Sequence, residues 1–441
     1  MSTGPKQRLY YGWVVVAVSF ITMAIVSPAW FSFSIFYPSL LAEFGWSRGA
    51  TAGAYSLNLL INAILSPFAG TLLDRFGPRR VMPIGAFVLA LGFIGAGQIH
   101  KLWHFYLWFG AVAAFGFCAV QVVPNAAIVS NWFLRNRATA IGIIMGGIGI
   151  GRLILFPLIQ YSISRIGWRM SYVALGGLII FIVAPLILIF QRHKPADKGL
   201  QDHPEVSAST LAAESLNASG RELVIVDPEW AAKEWTLKKA AYTYRFWALA
   251  LLVAVYSGGV FLITVQVVAY LVASGFSSIV AASVIGLQGL LSSSGNFIGG
   301  WLSDRIGREK SMTLSIAIFA TGLFILSLVE SYPSLWLLYS YVVFFGLGFG
   351  MAFPAVMASS ADLFQGKHYG AVFGAINLIG GIGGALGAWL GGFLYDKTGS
   401  YRVLFAVTIS AIVFSTVFIW SARPSAVRMV RRSAKPAPAL S

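Results

Sequence analysis

Charge is scarce in this sequence. Of 441 residues, 10% are Asp, Glu, Lys or Arg and 58% are hydrophobic, whereas soluble domains carry about 25% charged residues. A soluble globular domain is therefore excluded. Acidic residues are the scarcest charge, 15 against 31 Lys and Arg. Each falls in a loop, in a central linker or at the end of an apolar run, so the apolar interior is left without a carboxylate. A proton relay or a catalytic acid–base pair built from buried carboxylates is excluded with it. His100 and His104 stand at i, i+4 spacing, with no acid or third ligand nearby, and are read as interfacial. The lone cysteine, Cys118, lies inside an apolar run, which excludes a disulfide framework and leaves the redox compartment open. No metal and no cofactor are expected.

What fills the chain instead is long apolar runs. A helix needs about 20 such residues to cross the hydrocarbon core. The pattern predicts twelve spans, at 13–36, 50–73, 81–99, 104–129, 139–163 and 170–190, then 246–272, 280–302, 311–330, 335–360, 370–395 and 401–420. Four segments follow: a six-helix bundle over 1–190, a linker over 191–245, a second six-helix bundle over 246–422, and a basic tail over 423–441. The linker holds most of the acidic residues, and a short helix is expected near Pro228–Lys239. The Pro/Ala-rich tail is expected to be disordered. No cleavable signal is expected, because Met1–Arg8 is short and polar and the run that follows outlasts a signal's apolar core.

The net charge of +16 could suggest a nucleic-acid partner, but the cations are in the wrong places. With both termini on one side, 24 of the 31 Lys and Arg fall in segments on that side, 6 fall in the opposite loops, and Arg152 remains. Such a bias orients both termini toward the cytoplasm and accounts for the charge without nucleic acid. The expected setting is the plasma (inner) membrane, with the lipid bilayer as partner.

The two halves are alike in sequence. The segment Gly70-Thr71-Leu72-Leu73-Asp74-Arg75-Phe76-Gly77-Pro78-Arg79-Arg80 returns 230 positions later as Gly300-Trp301-Leu302-Ser303-Asp304-Arg305-Ile306-Gly307-Arg308-Glu309-Lys310. Phe115-Gly116 and Pro124 answer Phe345-Gly346 and Pro354 at the same offset. Two parallel six-span halves joined by a long inner loop, each with an Asp-Arg-x-Gly turn after its second span, resemble the major facilitator superfamily over essentially the whole chain. The resemblance implies an all-α membrane fold of two pseudo-symmetric six-helix bundles, and transport by alternating access.

Within that superfamily three features are similar to the monocarboxylate porter group and its oxalate:formate antiporter-like members. They are Tyr11-Gly12-Trp13, the stretch Asn131-Trp132-Phe133-Leu134-Arg135-Asn136-Arg137-Ala138-Thr139-Ala140-Ile141-Gly142, and Gly167-Trp168-Arg169. The resemblance implies small organic anions as cargo, with protons or a counter-anion. This chain departs from that group where the group carries charge. Asn296 stands where a substrate-facing Arg is expected on the eighth span, and Asn377 stands near the expected Lys of the eleventh. Ala29 and Ser292 fall near the Lys and Asp positions of the animal carriers.

One formal charge is left at mid-membrane depth, Arg152 on the fifth span. A guanidinium there costs roughly 2.5–3.5 kcal/mol on insertion scales. Its fork suits a carboxylate, and no span offers one. Two readings stay open: a substrate carboxylate supplies the counter-charge, or Arg152 is structural, bonded to freed carbonyls or tyrosine hydroxyls. Asn296 and Asn377, with Gln121, Asn125 and Gln288, are candidate hydrogen-bonding partners of the cargo. Asn58, Asn62 and Gln266 share their polarity, and each could equally make an interhelical bond worth about 0.6 kcal/mol. Tyr37 and Tyr270, with Trp30, Phe31 and Tyr256, are candidates for an aromatic wall.

Asp74, Arg75, Asp304 and Arg305 are expected to latch the inner side, a carboxylate at one helix end meeting the positive N-terminus of another, or else to serve topology alone. The glycines of the fifth and eleventh spans are read as small packing faces. The Gly-Gly-Ile-Gly-Ile-Gly run lacks a preceding strand, which excludes a phosphate loop. The function expected is a monomeric transporter of a small organic anion, a monocarboxylate first. The alternatives are a transporter of a neutral solute or drug with Arg152 structural, and, further off, a polytopic enzyme or a receptor.

Overall fold

The computed structural model describes residues 11–133, 137–192, 221–366 and 368–432. Ten helical stretches among them are long and apolar enough to cross a membrane. They resolve into twelve spans for two reasons. Thr139–Phe190 folds back on itself at Gly167, whose φ of 79° is one that a residue with a Cβ adopts only at a cost. The helix Arg48–Phe76 runs beside the others as the second span. The remaining spans are Tyr11–Phe44, Pro78–Ala96, Leu102–Trp132, Tyr244–Ala273, Ser278–Ile306, Arg308–Leu328, Leu335–Phe364, Tyr369–Thr398 and Tyr401–Ala422.

The predicted spans match these within a few residues, with one exception. The first reaches Phe44, well past the expected 36, because its helix resumes at Phe33 after a break at Ser32. The Ser32 hydroxyl donates to the Ala29 carbonyl at 2.7 Å and so holds the break.

The sixfold sets form two bundles that meet mainly along two helix pairs, the second span against the eleventh and the fifth against the eighth, with the first span also touching the seventh. The face carrying Tyr11, Phe190 and the linker is called the linker face, and the other the far face. At the far face the pair of second and eleventh spans comes together backbone to backbone. A Cβ added to Gly392 would lie 2.5 Å from the Arg48 carbonyl oxygen, so glycine is what permits this approach. Of the fifth-span glycines, Gly142 and Gly149 face the other bundle, Gly149 lying against Ser293 and Gly289, while Gly147 and Gly151 meet the first span of their own. The eleventh-span glycines Gly383 and Gly387 instead meet the seventh span of their own bundle.

Two expectations are corrected at the linker face. The single helix near Pro228–Lys239 is two, Pro228–Ala232 and Leu237–Ala241. Asp227 and Thr236 each accept a backbone N–H at the start of a helix, so the sequence carries two caps where one helix was expected. Nor is the tail disordered up to residue 432. Arg428–Arg432 pairs antiparallel with Arg221–Ile225 of the linker, Leu223 opposite Val430, and residues 433–441 lie outside the described residues. The physical reason lies in the anchors on either side of the strands. The Glu309 carboxylate accepts the Ser425 N–H at 2.8 Å, Trp230 donates to the Leu363 carbonyl at 2.8 Å, and Trp235 packs edge-on against Phe364.

Candidate functional site

Arg152 sits where the two bundles meet. It is 7% exposed, its Cζ stands 3.6 Å from the centroid of the Phe31 ring, and its methylenes lie against Gly289 of the eighth span. Its Nε is buried with no hydrogen-bond partner, and among the described residues no carboxylate pairs with it. A desolvated cation–π contact returns about 2 kcal/mol, which offsets part of the insertion cost but leaves the Nε–H unsatisfied. The arginine is held, and it is still open to an acceptor.

Rings from both bundles surround it. Phe31 of the first span stacks on Phe261 of the seventh, with centroids 6.4 Å apart and planes 6° from parallel. Phe261 lies 6.0 Å from the Tyr55 ring of the second span, and Tyr55 stacks on Phe33 at 5.0 Å. The Tyr55 hydroxyl is also buried without a hydrogen-bond partner and lies within Coulombic reach of Arg152. Trp30 stands 5.2 Å from Phe31. Its indole N–H donates to Asn58 at 2.9 Å, and Asn58 in turn donates to the Phe109 carbonyl at 2.7 Å. That polar pair is satisfied; Arg152 and Tyr55 are not.

The far face above this cluster is sealed by the other contacts between the bundles. Asp396, near the end of the eleventh span, accepts the backbone N–H groups of Arg48 at 2.9 Å and Gly49 at 2.7 Å. These are among the N–H groups at the start of the second span that its own helix cannot satisfy, and a carboxylate there meets the positive end of the helix dipole. The Arg48 guanidinium lies 3.6 Å from the Tyr395 ring centroid and donates to the Tyr401 hydroxyl. Tyr37 donates to the Arg48 carbonyl at 2.8 Å and accepts from Gln266 at 3.0 Å. Tyr37 thus belongs to the seal, six residues along the first span from Phe31, which is about 9 Å at 1.5 Å per residue.

The other expected residues are spread out. Asn296 and Asn377 are half-buried, and each donates to a carbonyl of its own helix, Ser292 at 3.2 Å and Phe373 at 2.9 Å. Asn296 lies seven residues beyond Gly289, about 10 Å along the helix from the Arg152 contact. Gln121 has a buried, unpartnered Nε2 at a backbone break in the fourth span. Gln288 accepts from Tyr341 at 2.9 Å, and Tyr270 donates to the Leu326 carbonyl at 2.8 Å, both within the second bundle. Asn125 donates to the Val120 and Gln121 carbonyls at 2.9 Å. Val120 ends the helix before the break at Gln121, so Asn125 supplies a donor to a carbonyl that its own helix leaves free.

At the linker face, Asp304 accepts from Arg308 at 2.5 Å, and Arg308 bonds Asp362 at 2.8 Å. Arg305 lies 3.8 Å from the Trp301 ring centroid and Arg75 5.3 Å from that of Phe76. These contacts stay within one bundle. The Asp74 side chain lies outside the described residues. Gly167-Trp168-Arg169, quoted above as a family-like stretch, has a local physical use: Trp168 and Arg169 both bond Glu43, and Arg169 also caps the Ile99 carbonyl at 2.7 Å.

Sequence reasoning passed over Tyr55, Phe261, Arg48 and Asp396. Tyr55 had a visible signal, one turn before Asn58 on the polar stripe of its helix. Phe261 had none among 33 phenylalanines.

The family model described as Major Facilitator Superfamily matches the chain twice, over residues 19–295 and 249–440. The chain is 26% identical over 425 residues to human monocarboxylate transporter 11, covering 95% of this chain and 84% of that protein. It is 24% identical over 428 residues to the uncharacterized MFS-type transporter YcxA of Bacillus subtilis, covering 95% of each. Among solved structures, a D-xylose-proton symporter superposes with a TM-score of 0.70 at 13% identity, covering 94% of this chain and 99% of that one. A bacterial homolog of the human lysosomal transporter Spinster, in an inward-facing and unoccupied conformation, gives 0.64 at 16% identity, with coverage of 95% and 96%. The two bundles, their membrane-length helices and the matching family model lead to one assignment: this multi-pass integral membrane protein belongs to the Major Facilitator Superfamily and is a transport protein rather than an enzyme.

Proposed function

We propose that the protein carries a small monocarboxylate across the membrane by alternating access, with Arg152 as the anchor for the carboxylate. The observation that carries this reading is a buried guanidinium with an unpartnered Nε and no carboxylate paired to it among the described residues. One cation without a neighbouring acid matches one negative charge. Several relatives named monocarboxylate transporters, at about a quarter identity, support the same class. Asn296, Asn377 and Gln121 are the remaining candidates for neutral hydrogen bonds to the cargo.

The cation bias makes the linker face cytoplasmic in the plasma (inner) membrane. The seal around Asp396 and Arg48 then closes the outside, and the conformation is inward-facing. In the opposite conformation Asp74, Arg75, Asp304 and Arg305 latch the cytoplasmic side. Each chain contains a complete site, which suits a monomer, and a proton or a counter-anion completes the cycle.

The test is uptake of labelled organic acids into proteoliposomes by wild type and Arg152→Gln. Loss of saturable uptake in the variant, with retained folding, supports the anchor. A second reading, a neutral cargo with Arg152 structural, draws on the Phe31 ring that already covers the guanidinium; saturable uptake of a neutral solute that survives Arg152→Gln selects it.

A further inference from the structure

Tyr55 is a buried group that the anchor alone does not explain. It is 2% exposed, its hydroxyl is buried with no hydrogen-bond partner, and its ring reaches across the bundle interface to Phe261. A tyrosine in a helix core that needs only the ring is matched by phenylalanine; one that keeps an unpartnered hydroxyl at an interface is waiting for an acceptor. Arg152 approaches from the fifth span with an unpartnered Nε, and Tyr55 from the second. A carboxylate has two oxygens and accepts from both kinds of donor.

The rest of the surroundings is apolar or already engaged. Phe31 and Phe261 are half-buried, one from each bundle, and nearly parallel. The amide of Asn58 is occupied by Trp30 and by the Phe109 carbonyl. A body carrying several hydroxyls would find few free partners there, and an apolar body would find rings.

We infer that the Tyr55 hydroxyl is the second donor to the cargo's carboxylate, and that the cargo is a monocarboxylate with an apolar body, branched or aromatic, seated against Phe31 and Phe261. This rests on the reading of Arg152 as the anchor. Because Phe261 belongs to the second bundle and both donors to the first, such a cargo touches both moving parts at once, one turn or more beneath the far-face seal.

The test is binding to the purified full-length protein, read by calorimetry, with phenylacetate, isovalerate, gluconate and the neutral phenylacetamide as probes. Phenylacetate and isovalerate bind at least 10-fold tighter than gluconate. Tyr55→Phe weakens phenylacetate 5-fold or more while leaving the thermal midpoint of the unliganded protein unchanged or raised, because no hydrogen bond is lost. Phe261→Ala narrows the gap between phenylacetate and gluconate. Equal binding of gluconate, or an unchanged phenylacetate affinity in Tyr55→Phe, overturns the inference. A lowered midpoint in Tyr55→Phe without loss of affinity also overturns it, by giving the hydroxyl a purely structural role. Failure of the anchor itself is separate: there phenylacetamide binds wild type as well as phenylacetate does, and Arg152→Gln binds both.

Discussion

The Asp396 carboxylate accepts the backbone N–H of Gly49 at 2.7 Å, so the end of one bundle's helix caps the first turn of the other's. The second and eleventh spans run antiparallel, and the pair is locked at the far face by this cap. Hydrogen bonds to a charged group are worth about 1.5–3 kcal/mol each, and Asp396 makes two across the interface. Asp396→Ala is expected to shift the conformational equilibrium toward far-face opening by about 10-fold or more, since each 1.4 kcal/mol is a factor of 10. Spin labels at Lys101→Cys and Ser331→Cys, on a Cys118→Ser background, read this as a longer mean distance. An unchanged distance distribution contradicts the gate.

Asp362 and Asp304 both bond Arg308, and burial separates their weights. The Arg308–Asp362 side chains are 10% and 9% exposed, while Asp304 is 48% exposed. Removing one partner of a buried pair costs about 3–5 kcal/mol, and an exposed pair is worth about 0–1 kcal/mol. Asp362→Asn is therefore expected to lower stability in detergent denaturation several times more than Asp304→Asn. Equal losses would show that the exposed carboxylate carries the network.

The linker is tied to the second bundle through its strand pairing with the tail. Met429 stands opposite Val224 in that ladder, two residues on from Val226, whose N–H donates to the Val427 carbonyl, so this pair is a hydrogen-bonded one, and proline has no N–H to give. Met429→Pro is expected to speed proteolytic cleavage within the linker several-fold while the far-face distance stays as in wild type. Cleavage at the wild-type rate argues that the Trp230 and Trp235 contacts hold the linker unaided.

Asn125 separates a structural role from a binding one. Asn125→Ala leaves the Val120 carbonyl without its donor, a loss of about 1–2 kcal/mol, and is expected to change carboxylate affinity less than 2-fold. A 10-fold loss of affinity with unchanged stability would return Asn125 to the binding site.

The twelve spans were legible because the bilayer demands one property, apolar length, and the sequence displays it in every run. The internal repeat supplied the two-bundle plan for the same reason, as a local pattern with a single physical cause. Arg152 was legible because a lone charge in an apolar span is rare. Its surroundings were not, since rings such as Phe261 become neighbours of Arg152 only when two distant helices cross. Tyr37 shows the same limit: it read as cavity-lining from sequence and bonds across the far-face seal to Gln266, for which an interhelical bond was one of the two readings. The strand Arg428–Arg432 was hidden because its partner lies some two hundred residues away, and its own composition reads as a basic tail.

The central claim is that Arg152 binds the cargo's single negative charge. Calorimetric titration of phenylacetate into wild type, Arg152→Lys and Arg152→Gln tests it most directly. Truncating one partner of a buried charge pair costs about 2–5 kcal/mol, so Arg152→Gln is predicted to lose at least 30-fold in affinity. Arg152→Lys keeps the charge without the fork and should fall between the two. Equal affinity for the carboxylate in wild type and Arg152→Gln would contradict the account.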